Sequence, residues 1–255
     1  MTQEPAGDGL RILYRDATLV AVHKPAGLVV HRTALAPAAD PLLQRVRDAL
    51  GRRVYPVHRL DRATAGVVVF GLSSAAAQGL AGALEGGETR KTYWAVVRGW
   101  PADEGLIDHP LVDLDSGARR DAVTGFRTLA RGELPVPVGR FATARYALLE
   151  VVPRTGRQHQ IRRHLKHAAH PVAGDTTYGK GEHNRLFRTL FGEQRLWLLA
   201  RGLELPHPAS GERLRIESLL DAGWRALLAR FGWAAAYNAS TSASTCSACP
   251  LGFTS

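Results

Sequence analysis

The chain has 255 residues, 45% of them hydrophobic, enough for one good-sized core or two small ones, and 33 Lys and Arg against 23 Asp and Glu give it a formal charge of +10. Such a balance favours a polyanionic partner and nominates nucleic acid. The polar first nine residues show no signal-peptide pattern, no apolar run approaches the roughly 20 residues of a membrane span, and the two cysteines, Cys246 and Cys249, lie too near the end to staple a core. A cytoplasmic protein is therefore expected. One Cys-x-x-Cys supplies half the ligands of a structural zinc site, so no metal is expected.

Residues 11–14 and 19–23 are short apolar runs around Asp16 and predict a hairpin, followed by a turn at Lys24-Pro25-Ala26-Gly27. Asp40, Pro41, the apolar positions Leu42, Leu43, Val46 and Leu50, and then Gly51 predict a helix with Asp40 as its N-cap. Residues 54–57 and 67–72 read as strands, and His58-Arg59-Leu60-Asp61-Arg62 sits on their connection, where chemistry is commonly carried. Ser73 or Ser74 caps a small-residue helix that ends at Gly86-Gly87. Residues 91–98 read as a strand whose alternation sets Tyr93, Ala95 and Val97 on one face.

Between 101 and 140 only short strand-like pieces emerge. Residues 145–152 form a strand, after which Thr155-Gly156 turns into a basic segment, 157–168, with Ile161, Leu165 and Ala168 at helical spacing and His159, Arg162 and Lys166 on another side. Residues 196–199, 203–205 and 214–216 add strands, and Leu219, Leu220, Trp224, Leu227, Leu228 and Phe231 mark a last helix. Residues 234–255 lack periodicity and read as a disordered tail. The sum is an α+β fold with a mixed, largely antiparallel sheet.

Three places invite chemistry. Asp61 lies among His58, Arg59 and Arg62, whose positive charge favours a carboxylate; alone, it reads as a structural ion pair or a solvated turn. The run Thr155-Gly156-Arg157-Gln158-His159-Gln160-Ile161-Arg162-Arg163-His164 reads alone as a solvated basic helix face, and Tyr93 as a packed strand residue.

Together they resemble one family. His58-Arg59-Leu60-Asp61-Arg62-Ala63-Thr64-Ala65-Gly66-Val67 is similar to the catalytic-aspartate motif of the RluA-type pseudouridine synthases. Lys91-Thr92-Tyr93-Trp94-Ala95 is similar to that family's second motif, residues 155–162 to its third, and residues 170–179 to a fourth, in the same order. The likeness spans residues 10–233, which would form one catalytic domain without a separate N-terminal RNA-binding domain, flanked by a flexible stretch at 1–9 and the tail. It implies an isomerase that turns a uridine of RNA into pseudouridine, without cofactor or obligatory protein partner.

By this resemblance Asp61 is the catalytic carboxylate, Arg162 the guanidinium that pairs with it and aims it, and Tyr93 the ring that stacks on uracil and a candidate for removing the carbon 5 proton. Arg59 would enter the gap left by a flipped nucleotide. Arg62, Arg157, His159 and Arg163 would contact the RNA, the last three through its backbone. Residues 133–141, Val30-His31-Arg32 and residues 181–185 look like the tRNA pseudouridine synthase C branch, which implies uridine 65 of tRNA as target. A ribosomal RNA target, or a non-catalytic RNA binder on the same fold, are the alternatives. Ala65, His23 and Leu199 depart from the family's usual Ser, Asn and His, which bears on fine substrate contacts.

Overall fold

The computed structural model describes residues 5–6, 10–31, 40–235 and 237. The centre is a sheet of eleven strands, and its first half is built from β1 (Pro5–Ala6), β2 (Leu10–Arg15), β3 (Leu19–Lys24), β4 (Tyr55–Pro56) and β5 (Ala65–Gly71). The hairpin expected around Asp16 is β2 and β3: the Asp16 carboxylate accepts the backbone N–H groups of Thr18 and Leu19, which closes the turn. Strands β3 and β5 are buried on both faces, so they read as unbroken apolar runs. Val20, Val22, Val68 and Phe70 pack on Leu42 and Val46 of helix α1 (Leu42–Leu50). On the other face Leu19, Ala21, Val67 and Val69 pack on Leu80 of helix α2 (Ser74–Glu85).

Helix α1 begins one residue later than the sequence suggests. Pro41 is its N-cap, and the amides of Leu42 and Leu43 donate to the carbonyls of Val29 and Val30, so backbone does the work expected of the Asp40 side chain. Gly51 closes it in the left-handed conformation, with φ 62°. Ser73 caps α2 by accepting from the Ala76 amide at 3.1 Å.

The second half contains β6 (Arg90–Arg98), β7 (Glu104–Asp108), β10 (Val123–Leu134), β11 (Ala144–Pro153), β12 (Leu198–Pro206) and β13 (Arg213–Glu217). A small ribbon of β8 (Leu111–Val112) and β9 (Arg119–Arg120) stands apart from the sheet. The strand order is β1-β2-β3-β5-β12-β6-β11-β10-β7, with β4 on β5 and β13 on β12; every pairing in the sheet is antiparallel except β5 with β12. Trp94 and Val96 of β6 face Phe187 of helix α4 (Gly181–Phe191) and Trp224 and Leu227 of helix α5 (Ala222–Arg230). Tyr93, Ala95 and Val97 face the opposite way, against Ile161 and Leu165 of helix α3 (Gln160–His167), as the alternation requires.

The parallel contact between β5 and β12 spans two residue pairs, Leu199 with Ala65 and Ala200 with Gly66. It holds because Gly66 is a glycine: φ is 128°, and a Cβ there would stand 2.2 Å from the Ala200 carbonyl oxygen. This crossing lays the connection between β4 and β5 beside β6. Among the described residues no helix is long and apolar enough to cross a membrane, and Cys246 and Cys249, with most of the tail, lie outside them.

Candidate active site

Asp61 sits on the connection from β4 to β5, which the surrounding chain pins at several points. The partly buried ring of His58 accepts from the Val69 amide at 3.1 Å, and burial pushes its pKa down to about 4. The Arg62 carbonyl accepts from the Gly27 amide at 2.8 Å, while the Arg62 guanidinium donates back to the Gly27 carbonyl at 2.9 Å. Beneath both lies Lys24, fully buried, with its amine donating to the carbonyls of Pro25, Leu28 and Arg62. Burial pulls its pKa down to about 7 and the charge of Asp61 pulls it back up.

The partner of Asp61 comes from α3. Arg162 Nη1 donates to Asp61 Oδ2 at 3.3 Å, across 101 residues of sequence. The rest of that guanidinium is gripped from behind, with Nε and Nη2 donating to the two oxygens of Asp175 at 2.7 and 2.9 Å. Burial opposes a charge on Asp175, but Arg162 and the amides of Tyr178 and Thr177 together hold it below the usual carboxylate range. Side-chain exposure grades from 0% at Asp175 through 7% at Arg162 to 23% at Asp61, so the outer carboxylate alone is open to a visitor.

Gly174 lets the Asp175 turn form: its φ is 75°, and a Cβ would collide with the Arg195 carbonyl at 1.7 Å. The Tyr178 ring closes the cluster, with the Arg162 guanidinium 5.0 Å from its centroid.

His159 does not stand on an outer basic face. It occupies the left-handed region, φ 55°, just before α3; its Nε2 lies 3.8 Å from Asp61 and its Nδ1 is bonded to the Tyr178 hydroxyl at 3.0 Å. Burial lowers its pKa, against the pull of Asp61. The turn before it is fixed by Gln160, which accepts from Thr155 and from the Arg157 amide and donates to Val123 and Thr124.

Asp61, His159 and Arg162 line a cleft of about 420 Å³ together with Tyr93, Lys91, Asp113 and Asp115. Burial, and then the negative charge of Asp61, raise the Tyr93 phenol above its usual range, so it is held protonated and presents a neutral ring. Arg59 is exposed at the mouth, with no hydrogen bond or ion pair to any described residue. Arg157 is also exposed at the rim, where its Nε donates to the Asp121 carbonyl. Arg163 does not line the cleft, and its guanidinium makes a 3.5 Å contact with the Gln158 carbonyl. Among the described residues no cluster of His, Cys, Asp and Glu could hold a metal ion.

Residues 18–167 match the family described as RNA pseudouridylate synthase. The chain belongs to that family. Over 235 residues it is 47% identical to the tRNA pseudouridine synthase C of Vibrio cholerae, covering 88% of this chain and 96% of that one. The protein of the same name from Salmonella typhi is also 47% identical, over 88% and 90% of the two chains. Among solved structures, human RNA pseudouridylate synthase domain containing 4 superposes with a TM-score of 0.66 at 27% identity, over 87% of this chain and 92% of that one. This synthase is accordingly an isomerase that forms pseudouridine from uridine in RNA.

Sequence reasoning assigned no role to Asp175, Tyr178 or Lys24. The signal for Asp175 was present in the acid at the end of His170-Pro171-Val172-Ala173-Gly174-Asp175, a run too apolar to be a surface loop. Nothing local marks Lys24 as buried.

Proposed function

We propose that this synthase acts on tRNA in the cytoplasm, at uridine 65 in the T-stem region, and that Asp61 is its catalytic residue. Residues 10–233 serve as the catalytic unit. In the reaction the bond from uracil N1 to the ribose is broken, the base turns, and carbon 5 is joined to the ribose in its place. No atom is gained or lost overall, so one carboxylate and a site that confines the base suffice. Arg162 is a positioning residue here: it aims Asp61 and is itself fixed by Asp175.

The observation that carries the reading is the exposure gradient along Asp175, Arg162 and Asp61, which ends in Asp61, the member of that chain that opens to a cleft of single-ligand size. Tyr93 stacks on the uracil as a neutral ring; its raised pKa argues against a resting phenolate as the base for the carbon 5 proton. A uridine inside a stem must leave its stack to reach Asp61, at a cost of a few kcal/mol. Arg59, exposed at the mouth and without a partner among the described residues, fills the gap it leaves. Arg62, Arg157 and Arg163 contact phosphates, and His159 helps to hold the Asp61 carboxylate in place.

The choice of tRNA is supported by the relatives' names. To test it, unmodified tRNA is incubated with the wild type and with Asp61→Asn, and pseudouridine is mapped by carbodiimide adducts and primer extension. The wild type is expected to mark position 65 alone, and the variant to bind tRNA without marking it. Full modification by the variant overturns the role of Asp61; a mark elsewhere overturns the target.

A further inference from the structure

The cleft at Asp61 does not stop at Tyr93. A second cavity of about 600 Å³ adjoins it, and the two share His58, Lys91, Pro153, Thr155, Gly156 and Arg157. Arg90 and Arg154 line the new part, so four strongly basic side chains face a cavity whose one acidic residue is Glu85. At Gly87 and Gly156 nothing lies within 4 Å of where a Cβ would stand, so both stretches of wall are open to close approach.

Lys91 stands where the two cavities meet. It is two residues before Tyr93 on β6, hence on the same face and about 6.6 Å along the strand. Its strand neighbour on β12 is Leu203, and its amine has no hydrogen bond or ion pair to any described residue although the side chain is half-buried. Burial lowers its pKa. A half-buried ammonium without a counter-ion is costly, and an anion at this point would remove the cost.

The proposed reaction supplies one. A uridine turned out of its stack stays tethered through a phosphodiester on each side, so a phosphate must lie within one backbone step of the base on Tyr93. We propose that this second groove seats the sugar-phosphate backbone flanking the target uridine, with Lys91 on the phosphate that adjoins it and Arg90, Arg154 and Arg157 along the continuing strand. The assignment rests on the cleft being the uridine site.

The test pairs the full chain with T-arm RNA in which one phosphate beside the target uridine, 5′ or 3′, is a neutral methylphosphonate. In the wild type one of the two linkages is expected to weaken binding roughly tenfold, and Lys91→Gln to weaken binding of all-phosphate RNA by about the same factor. Lys91→Gln should lose nothing more on that linkage, whereas Lys91→Arg should stay sensitive to it. The slope of log affinity against log salt should also fall by about 0.7 to 0.9 in Lys91→Gln, and stay unchanged in a control at exposed Arg188.

Additive losses from variant and linkage, or an unchanged affinity in Lys91→Gln, overturn the groove. If Lys91→Gln does not fold, Arg154→Gln with a methylphosphonate one step further along decides by the same non-additivity. A wild type that makes no pseudouridine in this RNA overturns the underlying site instead.

Discussion

Replacing Asp175 with asparagine asks whether the buried clamp behind Arg162 sets the position of the catalytic carboxylate. Asparagine keeps the shape and one oxygen for the Thr177 and Tyr178 amides, but removes the charge that binds Arg162 at 2.7 and 2.9 Å. With Arg162 7% exposed and Asp175 sealed, depriving the guanidinium of its partner should cost about 3 kcal/mol, the lower end for a broken buried pair. For a chain of this size that is roughly 6 to 12 °C in melting temperature. The freed guanidinium then turns toward Asp61, now 3.3 Å away, and drags the carboxylate with it. A displacement of about 1 Å at a reacting group lowers the rate on the order of 100-fold. Melting followed by circular dichroism, and single-turnover pseudouridine formation well below the lowered midpoint, measure both effects. A variant that melts within about 2 °C of wild type and turns over within about threefold of it would refute the clamp, since both lie inside the range of an ordinary surface change.

Acid should weaken the fold through two histidines. His58 and His23 take up protons near pH 4 when folded and near 6.5 when unfolded, so between those values the unfolded chain binds more protons and stability falls as pH falls. Urea unfolding at pH 7 and pH 5 should differ by about 1 to 2 kcal/mol for each of the two, and equal stability at both would count against their burial as neutral rings. Gly66→Ala places a methyl 2.2 Å from the Ala200 carbonyl at a φ of 128°, so the protein should fail to accumulate in folded form; a soluble, active Ala variant would show that the β5 and β12 crossing is looser than described.

Much of the architecture could be read from local pattern. Helix α2 announces itself through Ser73 and its terminal glycines, and β11 through its apolar run. Other elements hide for physical reasons. Helix α4 has no side-chain cap and begins on Gly181, so neither propensity nor capping marks it; its place comes from Phe187 packing into the core and Asn184 bonding the turn at Gly174 and Asp175. Strand β12 reads as two pieces because a bulge between Ala200 and Gly202 breaks the alternation. The long strand β10 carries another irregularity between Thr128 and Ala130 and is half exposed, so its pattern dissolves.

The site divides in the same way. Asp61, Tyr93 and Arg162 are visible because each lies in a motif, but pairing over 101 residues is a tertiary fact, as is the swing of His159 into the cluster. Two positions singled out in the sequence prove to be neighbours: Ala65 and Leu199 are register partners on the parallel contact and form an apolar pair within the core.

Strand β12, Leu198–Pro206, lies between β5 and β6, although both precede it by about a hundred residues or more. A growing polypeptide leaving the ribosome therefore carries two separate groups of strands, with β4 on part of the inner edge of β5 and the inner edge of β6 bare, until β12 has been made. Until the wedge arrives that welds them, the unfinished product presents the kind of open rim on which aggregation starts.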